Sequence, residues 1–518
     1  MKKNFLTKVA LAAFVLSTAS CKKDLLNQPP LGVQTDVSYF KTAADLNNTL
    51  TAAYNYLQQP TFPAYETARW VFGDVGSDDA LKGAGASSFP IPGISEFSTN
   101  QQTTTNTIIN VYWSSMYNMI AVCNLVLDKQ SVVTGDATTI TNIANEARFL
   151  RAYGYNELVK YFGDVPMPLT YLDPATVAMV KTPKAQVYAQ IEKDLTEASA
   201  LPTKTQWGAA NDGRATSGAA NALLGKVYMS QKKYIEAEAA LKKVVDEGTY
   251  SLLSDYGAIF RKTGDNNNPE SVFDIKHKSN TGVFPGEGSF NLAFFQPGDA
   301  PIGGFGQDEP TEDLQNEFEK GDPRAIYTIL FKGDVFPNGA TPYTVVNIGT
   351  AGGRLNRKFY IPPSEKVANF GSIDEAKSYH IIRYAEVILL YAEALNENGK
   401  PAEALAWLNK VRQRARTTPP SDPQRISTVY DLSYTGTLLP DLTTMDKLNL
   451  GNAIWHEQRV ELSMEGHRRD YLTRTGRLAV RMAAAKGIAA FDEKYTLLPI
   501  PQSEIDLSNG QIIQNSGY

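Results

Sequence analysis

Residues 221–245, NALLGKVYMSQKKYIEAEAALKKVV, and residues 388–412, ILLYAEALNENGKPAEALAWLNKVR, align without a gap. In the first stretch Leu224, Gly225 and Tyr228 fall on one face of a helix, a turn follows near Lys232 and Lys233, and Ala237, Leu241 and Val244 mark a second helix. In the second stretch Tyr391, Ala392 and Leu395 precede a turn over 396–401, and Ala404, Leu408 and Val411 follow it. Apolar residues recurring at three- and four-residue intervals on both sides of a polar turn predict a helical hairpin in each case. The small residues Gly225, Ala237, Ala392 and Ala404 let the paired helices approach, and the larger ones fill between them.

The pattern resembles the tetratricopeptide (TPR) helix–turn–helix repeat. Two further pairs are predicted with weaker signatures, 39–58 with 107–128 and 142–162 with 184–200; Pro183 and Pro401 suit helix starts. A hairpin of this kind cannot bury its apolar face alone, so several must stack. The expected fold is therefore mainly α: a TPR-like scaffold of about four pairs, with few short strands. Between the helices, 70–105, 201–213, 263–310 and 332–372 are too rich in glycine and proline to be helical. Structureless stretches of that length are uncommon unless functional, which makes them the expected binding surface.

The N-terminus carries Lys2, Lys3 and Lys8, an apolar run over 9–16 and the small residues of 17–20, the layout of a secretory signal too short to span a bilayer. Cys21 follows at once and resembles the acylated cysteine of a bacterial lipobox, although Leu16 lies five positions before it rather than three. Cys21 is the expected lipid attachment site; its acyl chains, palmitate-like in length, would hold the protein at a membrane, with Lys22, Lys23 and Asp24 beginning a polar tether. Loss of three lysines with the signal takes the formal charge from −5 to −8. An acidic body without a basic run speaks against nucleic acid. Cys123 sits in a helical pattern and is read as a buried small hydrophobe.

Motifs for a hydrolase elbow, a phosphate loop and a dinucleotide turn are absent. His456 and Glu457 begin like a zinc-protease helix, but Val460 stands where the second histidine is needed. The other histidines, His277, His380 and His467, have no helical ligand spacing, and no metal or cofactor is expected. Glu457, Glu461 and Glu465, four apart, with Arg459, Arg468 and Arg469, read as an ion-pair network between helices. The chain is thus expected to bind rather than to catalyse. In the loops, Trp70 offers a stacking platform for a sugar ring, and Asp78 and Asp79, in a Gly-Ser-Asp-Asp turn, offer acceptors for vicinal hydroxyls. Phe89 and the phenylalanine-rich loop with Phe284, Phe290 and Phe295 complete the candidate ligand contacts. Two rival readings are a TPR scaffold that docks proteins or peptides, and a lipoprotein hydrolase with an unrecognised carboxylate pair.

Several motifs in order resemble one family, the SusD/RagB nutrient-binding lipoproteins: EARFLRAYGYNELVKYFGDVPMPL at 146–169, DEPTEDLQNEFEKGDPRAIYTIL at 308–330, HEQRVELSMEGHRRDYLTRTGRL at 456–478 and the closing YTLLPIPQSEIDLSNGQIIQNSGY. The resemblance implies four TPR-like pairs, a loop-rich ligand face, and service as lid or receptor for a SusC-like TonB-dependent outer-membrane transporter to which oligosaccharide is delivered. It implies residence at the outer membrane, facing outward. On this reading 1–20 is the signal peptide, 21–35 a lipidated tether, 36–262 a SusD-like N-terminal region, and 263–518 a RagB/SusD C-terminal region packed with it as one body.

Overall fold

The computed structural model describes residues 39–58, 65–83, 92–172, 179–261, 266–278, 288–289, 304–336, 343–345, 352–361, 376–419, 434–488 and 491–518. Eight helices form four antiparallel hairpins, as the apolar spacing predicts: α1 (Ala43–Gln58) with α2 (Thr107–Lys129), α3 (Ala137–Phe162) with α4 (Lys184–Ala198), α5 (Ser217–Ser230) with α6 (Tyr234–Asp246), and α7 (Tyr384–Glu397) with α8 (Pro401–Thr417). Each hairpin packs on the next through α2 on α3, α4 on α5 and α6 on α7, and α9 (Lys447–Leu462) lies along α7. Helix starts are capped by side chains: Asn106 accepts from the amides of Ile108 and Ile109, Asp136 from Thr139, and Thr216 from Ala219. Pro401 opens α8.

The two quoted stretches are equivalent down to their turns. Lys232 and the aligned Gly399 both take the left-handed conformation, at φ +59° and +76°. The amide of Lys233 donates to the carbonyl of Tyr228 at 3.0 Å, and that of Lys400 to Leu395 at 2.9 Å, closing both first helices alike. Inside the hairpins the small residues act as spacers. A methyl on Gly225 would lie 2.5 Å from Leu241, and one on Gly154 would lie 2.9 Å from Ile120 in the neighbouring helix.

The strands pair two by two, in four two-stranded antiparallel ribbons among the described residues, and two of these join segments more than 100 residues apart. One of these, Ser271–Ile275 against Tyr379–Arg383, leads directly into α7. Two stretches read as non-helical contain helices: Pro92–Thr99 and the single turn Lys204–Trp207. Proline belongs at the first turn of a helix, and a Thr203/Gln206 capping box closes the second. The proline and capping residues that marked loops were, in these places, helix starts. No described helix is long and apolar enough to cross a membrane.

The C-terminal third is locked onto the scaffold by buried charge. Arg383 reaches Glu465, Glu270 and Glu461 at 2.8, 2.9 and 2.7 Å; Arg414 reaches Glu270 at 3.0 Å and also holds Glu461. Arg324 bridges Asp322, Glu457 and Glu461 at 2.7, 2.6 and 3.1 Å, and Lys358 holds Glu465 at 2.7 Å. Against the burial that would raise it, Arg414, Arg383 and Arg324 hold the Glu461 carboxyl well below the usual range. The carboxylates and arginine of α9 thus form the ion-pair network that their spacing suggests. Cys123 is buried and free, and burial pushes its thiol well up.

Two measurements test this account. Gly225→Ala in an open helix would gain up to about 1 kcal/mol; here the clash with Leu241 should instead cost about 1–3 kcal/mol in denaturant unfolding. The double variant with Leu241→Ala should lose clearly less than the sum of the singles, and strict additivity would contradict the close approach. At the edge of the network His456 donates to Glu317 at 2.7 Å. Although burial opposes the charge, the bonds to Glu317 and Glu319 push His456 up from 6.5 to about 9. The folded state binds this proton more tightly, so its contribution is complete below pH 6.5 and is lost as the pH climbs through about 9. Unfolding free energies of the parent should fall by roughly 1–3 kcal/mol more than those of His456→Gln over that window.

Candidate functional site

Three of the loop candidates lie inside the protein. Trp70, Asp78 and Asp79 are each 0 % exposed. The chain runs from the short helix Tyr65–Trp70 into a π-helical turn, Val71–Val75, whose Gly73 touches the backbone of Gly466 so closely that an added Cβ would stand 2.1 Å from its carbonyl oxygen. Asp74 accepts the Gly466 amide at 2.9 Å, and Ser77 folds its hydroxyl back onto the carbonyl of Asp74 at 2.7 Å. The Asp-Asp turn is then gripped by arginines: Asp78 by Arg468 and Arg481, both at 2.7 Å, and Asp79 by Arg459 at 2.9 Å. Arg469 donates to the carbonyl of Gly76 at 2.7 Å.

The expectation that this turn greets sugar hydroxyls is corrected. Its carboxylates serve guanidinium groups from the far end of the chain, and Trp70 is packed in the main hydrophobic core. Phe89, Phe284, Phe290 and Phe295 lie outside the described residues. Trp113 and Tyr117 are neighbours in the core, with ring centroids 4.9 Å apart.

The described residues enclose a cleft of about 690 Å³ elsewhere, which the sequence reading did not anticipate. One face of α3 (Tyr153, Glu157, Lys160), of α5 (Leu223, Lys226, Met229) and of α7 (Glu386, Leu390) lines it, and the short helix α10 (Arg468–Arg474) with the chain from Glu493 to Leu497 covers it. First helices of successive hairpins therefore share an inner face, and the C-terminal segment roofs it. Leu498 donates to the carbonyl of Tyr161 at 2.8 Å, and Asn515 donates to that of Phe162 at 2.9 Å.

Several charges of the cleft are set in pairs. Lys160 spans Glu157 at 2.7 Å and Asp470 at 2.8 Å, and Lys226 holds Glu386, which also accepts from the Tyr471 hydroxyl at 3.2 Å. Burial opposes ionisation of Asp470, but Lys160 keeps its carboxyl low. Burial also pulls Lys226 down, partly offset by Glu386. His467 is driven well below its ordinary value by burial and by the neighbouring cations Lys226 and Arg69, so its ring is neutral. No group of three or more histidine, cysteine or carboxylate side chains among the described residues is arranged to hold a metal ion. The histidines are each engaged with protein groups: His277 with Glu66, His380 with Asp274, His456 with Glu317 and His467 with Arg69.

Comparison with known proteins agrees with this architecture over most of its length. Residues 269–518 match the SusD family, and residues 35–229 match a family described as starch-binding and associating with the outer membrane. A SusD-like protein P2 of Formosa agariphila is 25 % identical over 533 aligned positions, covering 99 % of both chains. A SusD-like protein of Bacteroides ovatus is 23 % identical, covering 79 % of this chain and 76 % of its own. Among solved structures, a laminarin-binding SusD-like protein superposes with a TM-score of 0.73 at 29 % identity, covering 92 % of this chain and 100 % of its own. A SusD homologue from Bacteroides thetaiotaomicron does so with a TM-score of 0.77 at 24 % identity, covering 94 % and 99 %. Two family matches that between them span most of the sequence, over a scaffold of four stacked hairpins, establish that this chain belongs to the SusD/RagB family of outer-membrane-associated proteins.

Proposed function

We propose that the protein is a glycan-binding lipoprotein of the cell surface that captures oligosaccharide and passes it to a TonB-dependent, SusC-like transporter in the outer membrane. The observation that carries the reading is the likeness to a laminarin-binding protein, which at 29 % identity covers that protein completely and leaves little of this chain over. The match runs along nearly the full length, so a common mode of use is the economical inference. Acylation at Cys21 would tether the body through the residues that follow it, and Phe89, Phe284, Phe290 and Phe295 are the proposed stacking residues of the ligand face.

Both rival readings meet specific obstacles. A peptide-docking TPR protein presents the inner face of its first helices, and here α10 and the C-terminal segment occupy that face. A glycosidase needs one carboxyl free to give up a proton while a second attacks or activates water. In the cleft Glu157, Glu386 and Asp470 are already engaged by Lys160 and Lys226.

Calorimetric titration with laminarihexaose and a panel of other oligosaccharides should give saturable binding without release of shorter sugars. Phe284→Ala, Phe290→Ala and Phe295→Ala should each weaken it by about three- to tenfold if their rings stack on sugar. Absence of binding across the panel, or steady product release, would overturn the reading. Cys21→Ser should move the protein from the membrane fraction to the soluble fraction of the cell envelope; unchanged retention would remove the lipid anchor from the account.

A further inference from the structure

We propose that the cleft between the inner faces of α3, α5 and α7 and the covering helix α10 is a second binding site, one that takes a neutral polyol such as a single sugar ring. It stands apart from the loop face to which the preceding reading assigns glycan capture.

Some buried polar atoms of the cleft-lining side chains have no partner. Arg69, Glu386 and His467 all line the cleft and all are at most 3 % exposed. Each keeps one polar atom without a hydrogen bond: Nε of Arg69, Oε2 of Glu386 and Nε2 of His467. Folded proteins leave few such atoms, because each forfeits the bond it made to water. Three around one cavity point to an occupant that makes hydrogen bonds.

Their chemistry narrows the occupant. Arg69 Nε can only donate, Glu386 Oε2 accepts, and His467 Nε2 does one or the other according to its tautomer. The wall therefore offers donor and acceptor together. Hydroxyl groups accept and donate together, and a ring bearing several of them matches that mixed set. Electrostatics favours a neutral molecule. Arg69, Lys160 and Lys226 are set against Glu157, Glu386 and Asp470, and an ion lodged among these six would have to break a pair to gain one. Leu223, Met229 and Leu390 supply an apolar strip for the C–H face of a ring, and 690 Å³ falls within the usual range of small-molecule sites.

The chain has four histidines, which makes labelled histidine a sparse reporter. Imidazole-labelled full-length protein should show His467 as a signal that does not titrate near neutral pH, identified by its loss in His467→Gln. D-Glucose or myo-inositol should shift that signal saturably, whereas glycine and inorganic phosphate should not. Ser230 is exposed at the cleft mouth, and Ser230→Trp should abolish the shift while leaving laminarihexaose calorimetry unchanged. An unmoved His467 signal with both polyols means the cleft holds water only and overturns the proposal, as would an equal response to glycine or phosphate, or a shift that survives Ser230→Trp. Binding of laminarihexaose beside an unmoved His467 signal retires the cleft and leaves the surface reading standing. A His467 shift without oligosaccharide binding does the reverse, and loss of laminarihexaose binding in Ser230→Trp would make the cleft the primary site rather than a second one.

Discussion

Everything on the C-terminal side of the scaffold hangs on the contact between Arg383 and Glu461. Arg383 ends the strand that leads into α7, Glu461 lies near the end of α9, and both are almost fully buried. Taking two charges out of water is expensive, and the cost is offset only when the remaining donors and acceptors are also served. Here they are: Arg414 and Arg324 share Glu461, Glu270 takes Arg383 and Arg414, and Glu465 takes Arg383 and Lys358. Such a lattice tolerates little sliding, because a shifted helix would strand a buried charge. Its value lies in register more than in net stability.

Fixing α9 in register has two consequences. Arg459 on that helix, with Arg468 and Arg481 just beyond it, is delivered onto Asp78 and Asp79, which closes the N-terminal loop against the C-terminal third. The same placement sets α10 over the inner face of α3, α5 and α7. A TPR array left open would present that face as a groove for an extended chain. Roofed, it becomes a confined cleft of a size suited to a small molecule.

Much of the fold was legible because a helical hairpin is a short-range object. The spacing of Leu224, Gly225, Tyr228 and Leu241, and of Tyr391, Ala392, Leu395 and Leu408, states which residues face each other within about twenty-five positions, and the turn at Lys232 and Gly399 repeats with them. The helix Pro92–Thr99 was missed because proline marks both loops and helix starts, and only the tertiary setting separates the two. The site was hardly legible. Asp78 and Arg468 are partners 390 residues apart, and a Gly-Ser-Asp-Asp turn looks the same on paper whether it faces water or a guanidinium. Of the charged residues read as an ion-pair network, Glu457, Arg459, Glu461, Glu465 and Arg468 are in ion pairs while Arg469 donates to backbone carbonyls, and nothing in their spacing names the turn that they would meet.

The amino-acid order by itself determined the hairpins and the family resemblance, since each is written in patterns that a few neighbouring residues carry. Tertiary structure alone decided which charges lie inside, which face of the array is covered, and where a cavity remains. Burial and ion pairing are properties of what packs against a side chain, and for Trp70, Asp78, Glu386 and His467 that neighbour arrives from a distant part of the chain.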